Sequence, residues 1–130
     1  MTSEGPRFLP GRHLIDSFGN GGFRLGGVSH QGSLLITPSG VRALPVVDVS
    51  DLNVEHLAQV VAEKPDIDMV LIGTGREMLP LPNAVMQLLR GEAVAYDIMS
   101  TNAAVRTYNV VLEEERRVAA IIIAVDKAYG

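Results

Sequence analysis

Val118 to Val125 is apolar at all eight positions, and this run limits the chain more than any other segment. A membrane-crossing helix needs about 20 such residues, and a transmembrane barrel strand needs about 9 to 11 that alternate outward apolar with inward polar. Eight without alternation suit a strand inside a sheet with both faces covered. A chain of 130 residues can bury roughly 65 to 70 % of its unfolded surface, so such a strand can be enclosed without a metal or a disulfide.

The pattern leading to that strand alternates helix and strand from about residue 50, as in a sheet with crossover helices. A helix is predicted over Val54 to Glu63, capped by Asn53, apolar at Val54, Leu57, Ala58 and Val61, and stopped by Pro65. Strand Met69 to Ile72 follows. A second helix starts near Pro82, buries Val85, Leu88 and Leu89, and ends at Gly91. Strand Ala93 to Asp97 precedes a third helix, Asn102 to Glu114. At 100° per residue that helix groups Ala104, Val105, Tyr108, Val111 and Leu112 on one face and Arg106, Asn109 and Glu113 on the other.

Before residue 50 the apolar runs are short and punctuated by glycine: His13 to Phe18, Phe23 to Leu25, Ser33 to Thr37 and Val41 to Val47. Gly19-Asn20-Gly21-Gly22 supplies residues that tolerate positive φ, and Pro38-Ser39-Gly40 can turn the next pair, so hairpins or a small meander are expected. The fold class is therefore α/β, with one domain over residues 13–130 behind a loose tail over 1–12. The N-terminus lacks the basic and apolar regions of a secretory signal.

Eleven basic against 15 acidic residues and 47 % apolar content describe an ordinary globular chain with no coat of positive charge, which argues against a sequence-independent grip on nucleic acid. Zero cysteines exclude disulfides, Cys-ligated zinc and a thiolate nucleophile, and fit a reducing compartment; cytoplasm is the expected location. The P-loop, the nucleophile elbow, the HExxH zinc motif and the acidic calcium loop are all missing. His13, His30 and His56 lie too far apart in sequence to form a local metal pair. No catalytic residue, cofactor or metal is expected, and no membrane span.

One loop carries more weight. Gly73-Thr74-Gly75-Arg76 ends a buried strand, and the connection from Gly73 to Leu81 runs nine residues against about 2 to 6 for a typical strand-to-helix loop. If strands Met69 to Ile72 and Ala93 to Asp97 are parallel, the loops after them open on the same edge, where ligands of α/β proteins sit. The expected crevice holds Gly73, Thr74, Gly75, Arg76, Ser100, Thr101 and Asn102, with Arg106 one turn into the helix. Backbone N–H groups, hydroxyls and guanidinium groups suit a small anion. The alternative is that the glycines only let the chain turn and the arginines pair with Glu77 or Asp97.

Five stretches in order, Gly21 to Gly27, Gly32 to Ile36, Leu71 to Gly75, Ala103 to Leu112 and Val118 to Ala120, resemble the domain-of-unknown-function family that includes the mitochondrial respiratory complex I (NADH:ubiquinone oxidoreductase) assembly factor three and the adipogenesis-associated domain protein. The resemblance implies a three-layer β/β/α domain with a mixed central sheet, a small second sheet, and about three helices on the other side. It implies a non-enzymatic assembly or interaction factor, with subunits or assembly intermediates of a membrane respiratory complex as partners and a position peripheral to the inner membrane through them. Contacts are expected around Arg106, Asn109 and the glycine loop. Relatives often carry aspartate and cysteine where this chain has Ser100 and Val105, so no thiol role carries over. A small-anion-binding domain or cryptic enzyme at the strand ends, Gly73–Arg76 and Asp97–Asn102, is the alternative, and self-association through strand edges a third.

Overall fold

The computed structural model describes residues 8–127. Its centre is a mixed sheet of six strands in the order β1-β6-β5-β9-β7-β8, comprising β1 (Phe8–Pro10), β5 (Ser33–Thr37), β6 (Gly40–Leu44), β7 (Met69–Gly73), β8 (Tyr96–Met99) and β9 (Val118–Ile122). β9 pairs parallel to β7 and antiparallel to β5, which joins the β-rich first half to the helix-rich second half through one strand. Its alternate residues divide between two cores. Ala119, Ile121 and Ile123 face one, and Val118, Ala120 and Ile122 the other. Burying a side chain such as Ile121 or Ile122 contributes about 1.5 to 3 kcal/mol, which is why this run admits no polar residue.

The first core is covered by α1 (Ala58–Ala62) and α2 (Asn83–Gly91) through Leu57, Val60, Val85 and Leu89. Over the second core lie α3 (Thr101–Glu113) and a three-stranded sheet of β2 (Ile15–Gly19), β3 (Gly22–Leu25) and β4 (Val28–Gln31), which meet the central sheet through Val105, Tyr108, Ile15, Phe23 and Leu25. The three-layer α/β architecture is thus as expected, with α3 sharing the small sheet's side while α1 and α2 take the other.

Several boundaries differ from the sequence expectation, each for a local reason. β4 was not foreseen; Gly26 and Gly27, at φ 59° and 75°, make a second tight turn that returns the chain along β3. The helix expected over Val54 to Glu63 is a 3₁₀ turn over Val54–Leu57 followed by the short α1, with Asn53 capping as predicted. The strand expected at Ala93 to Asp97 starts at Tyr96, because Ala93 has φ 58° and its N–H still bonds Arg90 O at 3.1 Å, prolonging the end of α2. Pro45 lacks an N–H, and β6 ends at Leu44 rather than Val47. Within the expected tail, Phe8–Pro10 forms β1 on the sheet edge, where the Phe8 ring lies 4.4 Å beneath the Arg42 guanidinium, and Gly11 N and the Arg12 guanidinium donate to Ser39 O and Arg116 O at 3.1 Å each; residues 1–7 of that expectation lie outside the described residues.

Candidate functional site

β7 and β8 are parallel, with Ile72 opposite Ile98 and Gly73 opposite Met99, so the two loops open on one edge as the crevice argument required. They do meet, but they close on each other. Thr74 N donates to Met99 O at 2.9 Å, Thr101 N donates to Gly75 O at 2.7 Å, and Gly75 N donates to the Thr101 hydroxyl at 3.0 Å. That hydroxyl in turn donates to Ile123 O at 2.6 Å. The Thr74 hydroxyl donates to Glu77 O at 2.7 Å and accepts from Leu79 N at 2.9 Å, folding the nine-residue loop back on its own start. Ser100 caps α3 by accepting from Ala103 N at 3.3 Å.

Gly73 explains the close fit. A Cβ there would lie 2.9 Å from the Ala104 Cβ and 3.1 Å from the Thr101 Cα, so the first turn of α3 packs directly on the strand. Of the predicted residues, Gly73, Thr74, Gly75, Ser100 and Thr101 are brought together, with Gly75 and Thr101 bonded to each other and the rest bonded to neighbouring residues of the fold. Asn102 is half-buried in the first turn of α3, and Arg106 is exposed on that helix. Asn109 departs from the helical-wheel expectation. Its Oδ1 accepts from Ile15 N at 2.8 Å and its Nδ2 donates to Ile15 O at 2.9 Å, so it continues the hydrogen bonding of the β2 edge. Beside it the buried Tyr108 hydroxyl donates to His13 O at 2.9 Å, and burial pushes its pKa up to about 12.

The open space lies on the other flank of the same loop. A cleft of about 540 Å³ is walled by residues 47–49, by 74–76 with Leu79, and by 123–127. Gly75 and Arg76 therefore line a cavity, but the opposite wall comes from the ends of β6 and β9 instead of the end of β8. Asp48, which takes Ser50 N and the Ser50 hydroxyl on one carboxylate oxygen at 2.9 Å each, is held below the usual carboxylate range by those bonds. Three exposed apolar side chains stand on the 47–49 wall and the long loop: Val47 at 90 %, Met78 at 64 % and Leu79 at 40 % exposure. Sequence reasoning missed residues 47–49 and 123–127, although the strand-end rule that singled out Gly73 to Arg76 applies equally to Asp126 and Lys127 after β9.

The histidines stay apart. His13 Nε2 sits 2.9 Å from Pro10 O, His56 Nδ1 accepts from Asn53 N at 3.0 Å in the capping box, and His30 is buried in the small sheet with its Nε2 unpaired. Among the described residues no group of histidine, aspartate and glutamate could hold a metal.

The chain is similar to proteins spread over several bacteria and to a vertebrate one. An uncharacterised protein of Rhodobacter capsulatus is 36 % identical over 123 residues, covering 95 % of this chain and 93 % of that one. An outer membrane protein from Bartonella henselae, known from its crystal structure, is 45 % identical with a TM-score of 0.85, covering 89 % of this chain and 98 % of that chain. NADH dehydrogenase [ubiquinone] 1 alpha subcomplex assembly factor 3 of Xenopus tropicalis is 27 % identical over 110 residues, covering 85 % of this chain; this chain spans 60 % of that factor's length. No helix among the described residues is long and apolar enough to cross a membrane. With residues 15–123 matched by its model, the chain belongs to the family described as protein of unknown function (DUF498/DUF598).

Proposed function

We propose that the chain is a non-enzymatic docking factor that assists the assembly of a membrane respiratory complex by binding its protein subunits. The observation that carries this reading is the exposure of Val47 and Leu79 on the walls of a cleft at the carboxyl ends of β7 and β9. Apolar side chains left in water and gathered round a concavity mark a surface that a protein partner covers. The family's membership supports the choice of partner, since it includes proteins named as assembly factors of NADH dehydrogenase. On this reading contact with the membrane complex runs through its subunits.

The small-anion alternative has less to draw on. Of the donors it would use, the Gly75 N–H and the hydroxyls of Thr74 and Thr101 already donate within the fold. An anion would have to displace bonds already made.

The test is chemical crosslinking of membranes from cells that encode the protein, followed by purification of respiratory complex I intermediates. The tagged chain is expected to co-purify, and a folded Val47→Glu, Leu79→Glu variant to be lost from the intermediates. Arg106→Glu, on the outer face of α3, is expected to remain bound. Undiminished recovery of the cleft variant sinks the reading; loss only with Arg106→Glu moves the contact to α3.

A further inference from the structure

The cleft lies where neighbouring chain paths diverge. After β7 the chain runs to α2 on one face of the sheet, and after β9 it turns toward the small sheet on the other, where Gly21 N bonds Val125 O at 2.9 Å and Asn20 N bonds Asp126 O at 2.7 Å. A crevice outside the carboxyl ends of parallel strands at such a divergence is the customary ligand position of open α/β sheets.

What the walls offer narrows the ligand. At the ends of β7 and β9 their backbone is taken: Gly75 N and O bond Thr101, Ile123 N bonds Gly73 O, and Ala124 N bonds the Ser33 hydroxyl. Pairing by strand addition, or cradling of a phosphate by successive N–H groups, would require those same groups. Side chains supply further contacts. Among those that line the cleft, Asp48 and Asp126 are acidic and Lys127 is basic. The side chains of Asp126 and Lys127 make no hydrogen bond or ion pair among the described residues, and the second oxygen of Asp48 has none. Val47 and Leu79 supply apolar surface between them. Unpartnered groups of both signs favour an occupant carrying both signs over a bare anion or a polycation. A single helical turn with its side chains already fills roughly 500 Å³, so the occupant is a few residues long.

Resting on the docking reading, we infer that this cleft takes a short segment of a partner chain in which an apolar side chain stands between one basic and one acidic residue. The apolar group lies against Val47 and Leu79, the basic one near Asp48 and Asp126, and the acidic one near Lys127.

Capped tripeptides test this directly against the full chain, isotope-labelled and followed by amide NMR. Lysine-leucine-glutamate and its reverse are the mixed-charge probes; glutamate-leucine-glutamate, lysine-leucine-lysine and lysine-serine-glutamate are the controls. At least one mixed-charge leucine probe is expected to shift the amides of Val47, Gly75 and Asp126 with a Kd in the millimolar range. The controls should bind about fivefold or more weakly, as should the mixed probe to Asp126→Asn or Lys127→Gln. No shift at the cleft up to about 10 mM, or equal shifts with all five probes, overturns the inference. Flat titrations alongside retained crosslinking to complex I intermediates discard this segment chemistry alone; loss of the crosslinking result discards the docking reading itself.

Discussion

Gly73 and Gly75 stand two positions apart and are required for different reasons. At Gly73 the constraint is space, because α3 presses on the strand and an added Cβ would meet Ala104 and Thr101. At Gly75 nothing lies within 4 Å of that Cβ, and the constraint is a backbone φ of 117° that side chains disfavour. Substitutions should separate the two. Gly73→Ala is expected to cost about 1 to 3 kcal/mol by overpacking, with Gly73→Leu distinctly worse. Gly75→Ala and Gly75→Leu should cost nearly the same as each other, about 1 to 3 kcal/mol, since both pay for the same backbone conformation. Urea unfolding of the four variants decides it, and a loss at Gly75 that grows with side-chain size would contradict the assignment. The glycine spacing marked the loop as unusual, but only the position of α3 separates the crowded glycine from the uncrowded one.

At the scale of elements, α3 holds the small sheet to the central one. The helical period placed Ala104, Val105, Tyr108 and Val111 on the buried face correctly, because that period is a property of the helix alone. It placed Asn109 with Arg106 in solvent, because a helical wheel contains no neighbours. The β2 edge approaches that flank, and the Asn109 amide pairs with both backbone groups of Ile15. Asn109→Ala is expected to cost about 1 to 3 kcal/mol, since it leaves a partly buried N–H and C=O unpaired. Hydrogen exchange at the Ile15 amide should accelerate more than at the central strands, and an unchanged exchange rate there would refute the clasp. The free sheet edges are blunted in different ways: β1 is three residues long and ends in Pro10, and β8 exposes Asp97. Both features disfavour pairing with a second copy.

For the molecule as a whole, stability should vary with pH through His30. Burial lowers its pKa from the ordinary 6.5 and its Nε2 has no partner, so the folded chain binds a proton less readily than the unfolded one. Stability is then complete above about 6.5 and falls as pH drops from there toward the folded pKa. Glu63 contributes lower down. Burial raises its pKa, but hydrogen bonds from Ser39, Gln59 and Thr37 outweigh that and hold it below the ordinary 4.5, so its stabilisation is lost as pH falls through the folded value. The two windows open at different pH, His30's below 6.5 and Glu63's below 4.5, so His30→Leu should flatten the slope of unfolding free energy as pH falls from about 6.5 while leaving the Glu63 contribution in place. An unaltered slope would remove His30 from the account. What the sequence by itself determined was the α/β class, the central place of the apolar strand that starts at Val118 and ends at Ile122 instead of the expected Val125, the hairpin turn at Asn20-Gly21 and the loop at Gly73, because each is written in a local period, an uninterrupted run or a turn residue. The tertiary structure alone decided that the ends of β7 and β8 close on each other, that the open cleft lies toward Asp48 and Asp126, and that Asn109 is a clasp. Those outcomes depend on which hydrogen bonds and surfaces meet across tens of residues, and no local pattern encodes such distances.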